Sequence, residues 1–115
     1  MEDVVGRLFS LTYPTAAVLL AIRSGHKYGF DIMDATGLPS GTVYPALRRL
    51  EKAGILRSRW EAAAAAHKEG RPRRRIYELT GAGADLVPEA TRKLQSAARA
   101  VLDLPRRPAP GGSRG

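Results

Sequence analysis

The chain has 115 residues, of which 43% are hydrophobic, enough for one modest core. It contains no cysteine, which excludes disulfides, thiolate zinc sites and thiol redox chemistry, and its two histidines, His26 and His67, lack metal-ligand spacing. The formal net charge is +8. Its distribution is uneven: residues 40–75 hold 10 Lys/Arg against 3 Asp/Glu, a net +7, and the rest of the chain holds 9 against 8. Positive charge concentrated in this way favours a polyanionic partner, through phosphate neutralisation and counterion release.

No apolar run reaches the roughly 18 residues of a membrane span. The opening "MEDVVGRLFS" lacks the basic start of a secretory signal. The expectation is a soluble, cytoplasmic protein with no membrane partner. Residues 1–10 read as a lead-in.

"LTYPTAAVLLAIRSG" reads as a first helix, capped by Thr12, with Pro14 tolerated in the first turn. Val18, Leu19 and Ile22 give it an apolar surface, and Gly25 ends it. "KYGFDIMDATG" reads as a short second helix. Tyr28, Ile32 and Met33 turn inward, Asp31 and Asp34 outward, and Gly37 closes it.

The third helix falls in "GTVYPALRRLEKAGIL". Val43, Leu47 and Leu50 recur at spacings of four and three, marking a buried face. Tyr44, Arg48 and Lys52 lie about half a turn away, with Arg49 on the flank. Pro45 is awkward inside a helix. A start near Gly41 or Thr42, with Ser40 or Thr42 as cap, would place it in the first turn. Ala53 and Gly54 form the stop.

"ILRSRWEA" and "RRRIYELT" alternate as short strands. Leu56, Ser58 and Trp60 share one face of the first, and Arg75, Tyr77 and Leu79 share one face of the second. Trp60 and Tyr77 are expected to fill the core. The intervening "AAAAHKEGRP" is expected to be a mobile loop, because the alanines offer nothing large to hold a helix. Thr80 caps a last helix, in which Val87, Ala90, Leu94, Ala97, Val101 and Leu104 step by three and four as a heptad-like seam. Pro88 predicts a kink or restart. The tail, 105–115, is too rich in Pro, Gly and Arg to fold.

This order gives a mainly α fold with a two-stranded β wing (α+β). It is a winged helix-turn-helix over 11–80, followed by a C-terminal dimerisation helix over 81–104. In that arrangement the third helix is the recognition helix. Ser40, Thr42 and Tyr44 offer hydroxyls near its start. Arg48 or Arg49 could fork onto guanine or clamp a phosphate, and Lys52 extends the cationic face. Arg71, Arg73, Arg74 and Arg75 crowd the wing and repel one another, a cost that a phosphate partner would relieve.

These residues resemble the PadR family of transcriptional regulators. The resemblance rests on "YGFDI" (Tyr28 to Ile32), "GTVYPALRRLEKAGIL" (Gly41 to Leu56), Trp60, and "RRRIYELTGAGADL" (Arg73 to Leu86). It implies a homodimeric repressor on palindromic double-stranded promoter DNA, with contacts from Thr42, Tyr44 and the wing arginines. It also implies dimerisation through the first and last helices; Val87, Leu94, Val101 and Leu104 are the seam residues for it. Some members hold aromatic ligands between paired tryptophans. The single tryptophan here, Trp60, sits at the wing, so that mode does not carry over.

The rival reading is a winged-helix interaction module that docks an acidic protein partner. An enzyme is not indicated, since no carboxylate pair, nucleophile–base set or phosphate-cradling glycine loop appears. Gly81 and Gly83 form only a fragment of such a loop. No cofactor or metal is expected. A small-molecule effector is compatible with the class, but the chain gives no readable pocket for one.

Overall fold

The computed structural model describes residues 11–108, so the expected 1–10 lead-in and the end of the tail lie outside the described residues. The elements are helix α1 (Tyr13–Arg23), helix α2 (Gly29–Thr36), helix α3 (Ser40–Lys52), strand β1 (Leu56–Trp60), helix α4 (Ala63–Lys68), strand β2 (Arg75–Leu79) and helix α5 (Gly81–Leu102).

Thr12 caps α1 with its side chain, accepting from the Thr15 amide, and Pro14 lies in the first turn, where an amide would have no intrahelical acceptor. Gly37 ends α2 in the left-handed conformation at φ 72°, which a side chain would resist. The chain then turns through Leu38 and Pro39 into α3. Thr80 accepts from the Gly83 amide at the start of α5, and its hydroxyl also donates to the Gly54 carbonyl at 2.6 Å. One threonine therefore joins the end of α3 to the start of α5.

The core is continuous through the helices and the ribbon base. Val18, Leu19, Ile32, Val43, Leu47, Leu50, Ile55 and Leu56 are essentially inaccessible. Gly83 is also buried, and a Cβ there would collide with the Ile55 carbonyl, so α5 approaches the start of the ribbon as closely as only glycine allows. Packing between α1 and α5 is the most extensive between any two helices. It consumes the first half of the seam: Ala90 is buried, and Val87 and Leu94 pack partly against the core. The second half leaves the body, with Val101 at 65% and Leu104 at 67% exposure.

Strands β1 and β2 pair antiparallel in the register Leu56↔Leu79, Ser58↔Tyr77 and Trp60↔Arg75. The opposite edge of β2 is held by the Tyr77 amide, which donates to the Lys27 carbonyl at 2.9 Å.

Several expectations need correction. Helix α3 starts at Ser40 with Pro39 as N-cap, and no side chain caps it. Neither Ser40 nor Thr42 is the cap, and Pro45 falls in the second turn. The bond Pro45 cannot make would return to Gly41, which is exposed, so water can serve that carbonyl. Pro88 is likewise inside α5, which continues through it without a restart; Ala84, the residue deprived of a donor, is exposed. The alanine run is the helix α4 and not a loop. It buries Ala66 at 2% exposure, and Ile76 on the ribbon's outer face is buried as well. Both lie apart from the main core, so the wing holds buried apolar groups of its own. Trp60 does not plug the core: it is 54% exposed. Tyr77 does pack partly against the core.

Candidate nucleic-acid interface

With 100° per residue, α3 divides into four sides. Val43, Ala46, Leu47 and Leu50 are buried. Tyr44 and Glu51 share the flank facing the ribbon, where Ser58 donates to the Glu51 carboxylate at 2.6 Å. Arg49 lies on the opposite flank and reaches α1, donating to the buried Thr15 hydroxyl at 3.1 Å. Arg48 and Lys52 occupy the remaining side with Gly41, and all three are exposed. Among the described residues neither Arg48 nor Lys52 has a carboxylate partner. The sequence placed Arg48 and Arg49 together as candidates; the fold separates them, giving Arg49 an internal acceptor and leaving Arg48 open.

Tyr44 is half-buried and leans over Gly29, where a Cβ would overlap its ring. Glycine at that position lets the third helix cross the start of the second closely. Tyr44, Tyr28, Phe30, Asp31, Arg74 and Tyr77 line an open cleft of about 290 Å³ between α2, α3 and the wing. Phe30 stands at 76% exposure, a surface aromatic that the sequence periodicity did not single out. His26 pairs with Asp31 beside it at 3.0 Å.

The wing arginines are organised by one carboxylate. Glu61 is buried at 6% exposure just past the end of β1. Arg71 grips it with both terminal nitrogens, and the Arg74 side chain donates to it at 3.2 Å. The Arg74 amide adds a further bond at 3.2 Å, and the Glu61 backbone carbonyl accepts from Arg73 Nε at 2.8 Å. Hydrogen bonding from Arg71, then from Arg74, outweighs desolvation and holds the Glu61 carboxyl down at about 2. The bonds that Arg71 donates to Glu61, and the one it donates to Glu69, raise Arg71 above its ordinary range. The repulsion that a phosphate partner was expected to relieve is thus already relieved within the chain at Arg71 and Arg74. A lone acid at a strand end, facing an arginine run across a hairpin, was the available signal for Glu61.

Arg75 is on the inner face of the ribbon. It donates to the Ser58 hydroxyl at 2.9 Å, lies 3.9 Å from Glu51 and stacks over Trp60 at 5.1 Å. Arg74 lies over the Tyr28 ring at 3.7 Å. On the outer face, Arg57 and Arg59 share Glu78, whose carboxyl is lowered chiefly by the Arg57 hydrogen bond. Of the wing arginines, Arg73 alone meets no carboxylate among the described residues. Burial raises the Tyr77 phenol above its usual range.

A short helix, a tight turn, a helix with an open cationic side and an arginine-bearing ribbon beside it define a winged-helix DNA-binding regulator of transcription. The chain belongs to the PadR-like family of transcriptional regulators, whose family model matches residues 18–89. Among solved structures, it is similar to a PadR family transcription regulator from Clostridium difficile at 22% identity, with 76% of this chain and 93% of that one covered and a TM-score of 0.62. A PadR-like transcription factor from Bacteroides fragilis matches at 24% identity, covering 84% and 88%, with a TM-score of 0.57. Bordetella bronchiseptica BpsR, whose DNA binding is regulated by 6-hydroxynicotinic acid, matches at 20% identity, covering 91% and 71%, with a TM-score of 0.64. No curated protein matches the chain significantly. No described helix is long and apolar enough to cross a membrane.

Proposed function

We propose that the protein is a homodimeric repressor acting in the cytoplasm, and not an enzyme, which binds a palindromic promoter site with α3 in the major groove. Arg48 is the base-reading or phosphate-clamping residue, and Lys52 neutralises phosphate. Ser40, Thr42 and Tyr44 supply hydroxyls near the helix start. Arg73 is the leading phosphate contact of the wing; Arg71, Arg74 and Arg75 shape the surface around it, and Arg49 ties α3 to α1. The observation that carries this reading is the open Arg48–Lys52 side of α3, flanked by the wing's inner face and uncovered by any described part of the chain.

The exposed apolar end of α5 supports the two-fold reading. Val101 and Leu104 project from the body, and apolar side chains left this exposed at a helix end suit burial against a second copy. Val87 and Leu94 then act as the root of that contact, since they already pack partly on their own core.

Selection of bound duplexes from a random pool tests the specificity. Recovery of an inverted repeat with half-sites about one helical turn apart is the expected outcome. A protein that fails to retain any duplex at low salt would overturn the reading in favour of an acidic protein partner. Light scattering of a Val101→Ser/Leu104→Ser variant tests the assembly: monomers are expected, and an unchanged dimer would move the contact elsewhere.

A further inference from the structure

We propose that Trp60 is a DNA-contacting residue, an indole platform on the wing's inner face that packs against the deoxyribose and minor-groove edge of the bound duplex. The inference rests on the DNA-binding reading above and adds a contact that charge does not supply.

Trp60 is the only tryptophan of the chain and stands 54% exposed, although a large aromatic on a short ribbon would normally be drawn inward. Its register explains why it is not. Leu56 and Ser58 precede it on the same face, and they meet the core and Glu51 of α3 respectively. Two residues further on, the indole is left half exposed.

Its orientation is nevertheless fixed. Arg75, directly opposite in the register, stacks over the ring at 5.1 Å. Arg75 is itself tied to Ser58, and Ser58 to Glu51. A chain of polar contacts thus runs from α3 to the indole and sets its place relative to the Arg48–Lys52 side.

Duplex DNA is the occupant that the surroundings favour. The segment from Ser40 to Arg75 carries a net +7, so a cationic surface would be repelled and a polyanion drawn in. A polyanion that lies along α3 and reaches the wing must pass the ribbon's inner face. There the exposed part of the ring, held in place by the Arg75 guanidinium, offers an apolar surface for sugar and groove edge.

The test uses the full chain and a fluorescein-labelled random-sequence duplex at low salt. Binding is read by anisotropy, and Trp60 by its own emission and by acrylamide quenching. DNA is expected to shield Trp60 from acrylamide. Trp60→Ala should weaken binding about tenfold, within the range for loss of an aromatic platform, while Trp60→Phe restores most of the affinity. The dependence of affinity on salt should be the same in all three proteins, because the indole carries no charge.

Wild-type binding with Trp60 as accessible as before, and Trp60→Ala binding as tightly as wild type, would overturn this inference and leave the DNA-binding reading standing. A Trp60→Ala variant with a flattened salt dependence would also overturn it, by showing that the indole only supports the wing. A wild-type protein that does not bind the duplex would defeat the underlying reading, and this inference with it.

Discussion

Replacing Arg48 and Lys52 together with alanine is the most direct perturbation of the proposed interface. Both side chains are exposed, and neither is committed to a carboxylate among the described residues, so their removal should leave the fold intact. If each neutralises one phosphate, the double substitution should flatten the slope of log K against log salt by about 1.8 per protomer, at about 0.9 per phosphate contact. Over a fourfold rise in salt, from about 50 to about 200 mM, this corresponds to a factor of about twelve per protomer. Fluorescence anisotropy with a labelled duplex, repeated across that range, measures it directly. Arg57→Ala is the internal control, because Arg57 is exposed on the outer face and paired with Glu78, and its loss leaves the Glu61 cluster intact. Its loss should change the slope less than the loss of Arg48 alone. A double variant with the wild-type slope would refute the placement of phosphates along α3. A larger effect from Arg57 than from Arg48 would show that internal pairing does not decide which cations release counterions.

Three further outcomes test the fold that presents this surface. Glu61 has a folded pKa of about 2 against an ordinary value near 4.5, so its contribution to wing order is complete above the ordinary value and is lost as pH falls from there through about 2. Amide protection factors across residues 61–75, taken against the intrinsic exchange rate at each pH, should therefore fall over that window, and Glu61→Ala should show the low protection already at neutral pH. Gly83→Ala places a Cβ against the Ile55 carbonyl and should cost about 1–3 kcal/mol in thermal or denaturant unfolding; a neutral result would mean that α5 shifts freely. Leu50→Ala, at a fully buried position beneath the proposed interface, should cost about 2–5 kcal/mol by the same measurement.

Much of the architecture was legible because local signals agreed. Thr12, Gly37, Gly54 and Thr80 lie where the sequence placed the boundaries, and Val43, Leu47 and Leu50 are the inward residues of α3. The alternation also grouped Leu56, Ser58 and Trp60 on one strand and Arg75, Tyr77 and Leu79 on the other, and the register pairs these two groups. What was not legible depended on geometry beyond the window of periodicity. Helix α4 looked too featureless to hold, yet Ala66 finds cover, so small side chains sufficed where the ribbon left little room. Trp60 obeyed its alternation and still escaped burial, because burial on a ribbon also depends on how far the neighbouring helix reaches. Pro39 took the capping position from two better hydroxyl candidates, since the turn from Gly37 sets where α3 can begin. At the candidate interface, residue types alone gave ten cationic or hydroxyl side chains equal standing. The partners Thr15, Glu61 and Glu51 sort them into tethers and open groups, and two of those partners are distant in sequence from the cations they hold.

The division of α5 into a rooted half and a projecting half has a mechanical consequence. From Val87 to Val101 the helix extends about 20 Å, and its base is clamped to the ribbon through Gly83 and Thr80. A rod fixed in this manner turns with the body it is rooted in. A tilt of about ten degrees at the free end becomes a displacement of roughly 4 Å over that length, comparable to the rise of one base pair. A partner that gripped Val101 and Leu104 would therefore hold a lever on the proposed reading helix, and could retune its alignment without touching it.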